Sequence, residues 1–80
     1  MIKLFKKKKQ TLPTLQDLNG EELMAEDKVI SYRYELGECT LTLEEGQYFY
    51  VPIQGGQKVS YLKMVDAITG FQKVTKVKDQ

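Results

Sequence analysis

Between Lys28 and Glu44 apolar side chains recur at every second position, with a glycine interrupting the repeat. A period of two puts successive side chains on opposite faces of an extended backbone, a pattern no α-helix satisfies. Ile30, Tyr32, Tyr34 and Leu36 share one parity, and Ser31, Arg33 and Glu35 the other. Gly37 breaks the run, after which Cys39, Leu41 and Leu43 alternate with Glu38, Thr40, Thr42 and Glu44. That alternation predicts a strand with one wet face. Glu45 and Gly46 make the next turn. Tyr48, Phe49, Tyr50, Val51 and Ile53 then follow without alternation, which predicts a strand covered on both faces. Pro52 has no N–H for a ladder and belongs near that strand's end.

Gln54 to Gln57 form a further turn, because Gly55 and Gly56 supply the positive φ values of tight reversals. Residues 60–70 read two ways. Tyr61, Met64, Val65 and Ile68 have helical spacing, with Ser60 as N-cap and Gly70 beyond the end. The preferred reading is a strand from Lys58 to Val65, a turn through Asp66 to Gly70, and a last strand from Phe71 to Val77. It rests on the strand-favouring Val59, Tyr61, Val65, Val74, Thr75 and Val77, and on the turn chemistry of Asp66 to Gly70.

Short strands joined by short turns predict an all-β fold: a small five-stranded antiparallel meander, an SH3-like barrel or a strongly curved sheet. The alternative is an α+β fold with a helix at about 60–69. Eighty residues allow one domain with a modest core. Seven of the eight aromatic residues lie between Tyr32 and Phe71, which locates that core. The division expected is a basic, disordered tail at 1–11 and a single β-domain at 12–78. Near its start, Thr14 to Asp17 resemble a capping box, predicting a short helical turn with Leu15 and Leu18 inward and Asn19-Gly20 at its end. A hairpin or an extended segment fits there nearly as well.

The net charge of +1 conceals an asymmetry. Residues 1–10 carry five lysines and no acid, residues 11–50 nine acids against Lys28 and Arg33, and residues 51–80 five lysines against Asp66 and Asp79. No signal-peptide core and no bilayer-length apolar run is found, and the single Cys39 cannot form an internal disulfide. A cytoplasmic location is expected on those grounds.

Catalytic chemistry finds little to work with. The chain has no histidine, the commonest general base and metal ligand at neutral pH. Cys39 sits at the parity of Leu41 and Leu43, which reads as a buried structural thiol. No zinc-ligand spacing, calcium loop or phosphate-binding loop is present, so neither an enzyme nor a cofactor is expected.

Three surfaces remain as binding candidates. The tail combines Met1, Ile2, Leu4 and Phe5 with Lys6, Lys7, Lys8 and Lys9, suited to an anionic membrane surface or to nucleic-acid phosphates. Tyr32, Tyr34, Tyr48 and Tyr50, with Arg33 and Lys63 near, could stack nucleobases, although a small tryptophan-free domain needs such rings in its core. The final strand carries Lys73, Lys76 and Lys78 and reads as a sheet edge protected by lysines, with Lys58 and Lys63 extending the patch. The function expected is a non-catalytic protein-interaction module with a basic N-terminal tail. Nucleic-acid binding through lysines and tyrosines comes second, and peripheral membrane association through residues 1–9 third.

Overall fold

The computed structural model describes residues 12–77. The expected tail, Lys6 to Lys9 included, and Lys78 lie outside them. The fold is all-β. Strands β1 (Leu15–Gln16) and β2 (Glu22–Leu23) form a small hairpin. Strands β3 (Lys28–Ser31), β4 (Gly37–Glu44), β5 (Gln47–Pro52), β6 (Val59–Ser60) and β7 (Val74–Lys76) form an antiparallel sheet ordered β6-β5-β4-β3-β7. The last strand thus returns to pair with the first strand of the meander. The sheet is not closed, and a 3₁₀ helix, Tyr61–Met64, lies on the connection between its two edge strands.

The β4–β5 hairpin is the longest pairing, running from Cys39↔Pro52 to Glu44↔Gln47. Its two-residue turn has Glu45 at φ 52° and Gly46 at φ 80°, the left-handed pair that matches strand twist. Cys39 and Leu41 point into the core, as does every second residue of β5: Tyr48, Tyr50 and Pro52. Phe49 and Val51 are half-buried, so β5 alternates instead of being covered on both faces. The reason is that, among the described residues, no second layer packs on its outer face.

Two further expectations are corrected in β3. The inward parity is that of Val29 and Ser31, and the strand ends at Ser31. Tyr32 and Tyr34 are therefore exposed, at 59% and 56%. A buried serine disguised the pattern: its hydroxyl donates to the Arg33 carbonyl at 2.9 Å and accepts the Arg33 N–H at 3.2 Å, satisfying itself within the turn.

Residues 58–72 divide the two earlier readings between them. Ser60 does cap a helix, its Oγ accepting the Leu62 N–H, but that helix is one 3₁₀ turn. The strand expected at Lys58 to Val65 is cut to Val59–Ser60, while Asp66 to Gly70 does form a turn, closed by a Val65↔Gln72 bridge. At the other end, Thr14 to Asp17 form no helical turn. Asp17 instead organises the β1–β2 hairpin, its Oδ1 accepting the N–H groups of Asn19 and Glu21 at 2.9 Å each.

That hairpin covers an edge of the main sheet. The Leu18 N–H donates to the Val74 carbonyl at 2.9 Å, and Asp17 Oδ2 accepts the Lys76 N–H at 2.8 Å. The outer side of β7 is thus occupied by backbone and carboxyl groups, not merely guarded by lysines. Lys76 itself bridges to Asp27 at 3.5 Å. Beneath lies the core of Leu15, Leu23, Val29, Cys39, Leu41, Tyr48, Tyr50, Met64 and Val74. One polar pair sits inside it: the Tyr50 hydroxyl donates to Gln72 Oε1 at 2.8 Å.

Candidate binding surface

The five residues between Ser31 and Gly37 form a loop with two consecutive left-handed residues. Tyr34 and Glu35 both adopt left-handed backbone, at φ 62° and 55°. For residues with a Cβ that conformation costs on the order of 1 kcal/mol each, and it persists only where neighbouring structure imposes it. The start of the loop is anchored on two sides. The Tyr32 N–H donates to the Lys73 carbonyl at 3.0 Å, and the Tyr32 hydroxyl lies 3.0 Å from Thr75 Oγ1. On the other side Arg33 Nη1 donates to the Lys63 carbonyl at 2.7 Å. The loop is pinned between the last strand and the 3₁₀ helix, with its tyrosine rings outward.

Five of the residues singled out from sequence, Tyr32, Arg33, Tyr34, Lys63 and Lys73, are brought together by these bonds. Two others are not. Tyr48 is buried and meets Tyr61 edge-on, ring centroids 6.3 Å apart at 87°. Core packing removes it from any surface. Lys76 is engaged by the β1–β2 region, its Nζ 3.3 Å from the Glu22 carbonyl as well as near Asp27.

Beside Tyr34 the surface sinks into an open pocket of ≈ 510 Å³. Its apolar lining is Tyr34, Leu36, Phe49 and Val59, and its polar rim is Gln57, Lys58, Ser60 and Lys63. Lys58 is oriented by two neighbours: it pairs with Glu44, and its Nζ stands 4.5 Å over the Phe49 ring. Ser60 Oγ takes a hydrogen bond from Gln47 Nε2 at 2.7 Å, fixing β6 against β5. Sequence reasoning missed Leu36, Phe49 and Val59 as a surface, because each was read as strand core. The available signal was the Gly55-Gly56 reversal, which brings residues 57–60 back alongside Phe49.

Electrostatics are local here. Residues 12–77 hold six cations and ten acids, a net of −4. Yet both charged residues lining the pocket are lysines. At the neighbouring turn the carboxyl of Asp66 is held below its ordinary value, first by the Ile68 N–H it accepts, then by the Thr69 hydroxyl, with Lys73 and Arg33 adding to the effect. Among the described residues no group of three or more His, Cys, Asp or Glu is placed to hold a metal ion. No helix among them is long and apolar enough to cross a membrane. No family model matches this chain, and no curated protein or solved structure is significantly similar to it.

Proposed function

We propose that this chain is a non-catalytic protein-interaction module that engages its partner at the loop of Tyr32 to Leu36 and the pocket beside it. One observation carries the reading: Tyr34 is more than half exposed at a left-handed backbone position, directly after Tyr32 and Arg33, whose bonds to the Lys73 and Lys63 carbonyls anchor the start of the loop. An exposed ring with only two side-chain torsions, carried on an anchored loop, has a small ordering cost on binding, the property that makes tyrosine an effective interface anchor. The free, buried Cys39 suits a reducing compartment and supports a cytoplasmic setting.

The test is a photo-crosslinking side chain at position 32 of the full chain, applied in an extract of the source cells. The reading expects a defined protein adduct that is lost when Tyr34 is changed to alanine. Adducts unaffected by that change would overturn it, as would none at all.

A second reading, nucleic-acid binding, draws on Tyr32 and Tyr34 lying beside Arg33, Lys63 and Lys73. The net charge of −4 across residues 12–77 weighs against it. Titration with single-stranded DNA decides it: amide shifts at Tyr32 and Tyr34 that vanish with added salt support it, and unmoved signals dismiss it.

A further inference from the structure

Resting on the module reading, we infer that the pocket beside Tyr34 takes an extended, acidic peptide segment that carries one bulky apolar side chain. Three features of the site specify this occupant.

The first is the lining. Tyr34, Leu36, Phe49 and Val59 offer an apolar surface in a space of ≈ 510 Å³, within the range of pockets that enclose small ligands and side chains. That surface is what an inserted leucine or aromatic residue would bury.

The second is charge. Lys58 and Lys63 are the charged members of the lining, and Arg33 is anchored to the Lys63 backbone next to them. Lys58 already shares its charge with Glu44 at a solvent-exposed pair, an arrangement that binds weakly and yields to a competing carboxylate. A carboxylate on either side of the apolar anchor would meet these lysines. A polyanion would also meet the ten acids of the folded body. Screening over ~8 Å at physiological salt confines a short peptide's attraction to the lysines it touches.

The third is the sheet edge. Of the two outer strands, β7 is covered by Asp17 and Leu18, whereas no strand pairs on the outer side of β6 among the described residues. Val59 and Ser60 of β6 line the pocket, so a peptide lying in it runs beside an open ladder edge. Extended conformation gives main-chain bonds there, with alternate side chains turned into the pocket.

The experiment is selection of peptides from a randomised displayed library against the full chain and against a Lys58→Glu/Lys63→Glu variant whose amide spectrum confirms folding. The expected result is enrichment of acid-flanked leucine or aromatic sequences by the native chain. The variant should bind those peptides at least about tenfold more weakly, and select basic-flanked sequences instead. Selected peptides should shift the amides of Leu36, Phe49 and Val59. Enrichment of basic or uncharged peptides that still shift these amides would overturn the acidic occupant and leave the module reading standing. Peptides that shift other residues would remove the pocket from the reading. No enrichment, together with no adduct from position 32, would overturn both.

Discussion

Asp17 Oδ2 accepts the backbone N–H of Lys76 at 2.8 Å, across 59 residues of chain. The carboxyl is fully buried, and its other oxygen takes the N–H groups of Asn19 and Glu21. One side chain therefore closes the first hairpin and fastens it to the last strand.

Replacing Asp17 with alanine strips three backbone donors of their acceptor in a buried place. Unsatisfied donors cost on the order of 1–3 kcal/mol each where water cannot replace the partner, and some rehydration is expected here, so D17A should lose about 2–4 kcal/mol. Urea unfolding would show the drop in midpoint. Native-state hydrogen exchange should place the largest loss of protection at Asn19, Glu21 and Lys76. A loss confined to Asn19 and Glu21 would mean that the long-range bond contributes little.

Tyr50 makes stability fall in alkali. Burial, followed by the nearby Cys39 and Asp17, pushes its phenol well above the ordinary value of 10.0. The Cys39 thiol is likewise raised above 9.0, by burial and then by Glu38. Both groups hold their protons more tightly folded than unfolded. Their contribution is complete below the unfolded values and declines as pH rises from there toward the folded ones. The urea midpoint should therefore decrease from pH 9 upward. Y50F should be less stable at neutral pH by about 1–3 kcal/mol, because Gln72 Oε1 loses its buried donor, and its alkaline decline should be shallower. An unchanged alkaline slope in Y50F would assign the effect to Cys39 alone.

Glu35 offers a stabilising substitution. Its φ of 55° suits glycine, so E35G relieves backbone strain while adding unfolded-state freedom. The net expected is a gain of up to about 1 kcal/mol, read as a higher midpoint. A loss of stability would indicate that the Glu35 side chain makes a favourable interaction larger than the strain.

Asp66 contributes on the acid side. Its carboxyl is depressed by the Ile68 N–H and the Thr69 hydroxyl, so its contribution is present above the unfolded carboxylate value and is lost as pH falls through the folded one. The D66N variant should show a flatter dependence of unfolding midpoint on pH in that range. A slope matching the native chain would locate acid sensitivity in other carboxyl groups.

The legible parts of the fold were those in which one local rule acted alone. The β4–β5 hairpin followed from alternation around Glu45-Gly46, and Pro52 stood at the strand end, where its missing N–H does least harm. Illegible parts were those where a polar residue did the work of the core. Ser31 and Asp17 are both buried, and each hid a boundary: the end of β3 in one case and a hairpin turn in the other. Ser60 was legible as a cap, but not that it would cap a single 3₁₀ turn directly after a strand. The candidate surface was half legible. Arg33, Lys63 and Lys73 could be proposed from composition, but their convergence depends on β7 returning beside β3, a pairing between distant segments.

The return of β7 to β3 also sets an order of assembly. Residues 28–52 hold adjacent strands and can pair as soon as they are synthesised, whereas Val74, Gln72 and the Lys76 N–H complete the core and the Asp17 bond only at the end. A nascent chain halted before Lys76 would present β3 as an open edge over an unfinished core. Such a chain would be a target for chaperones and proteases until β7 had paired with β3.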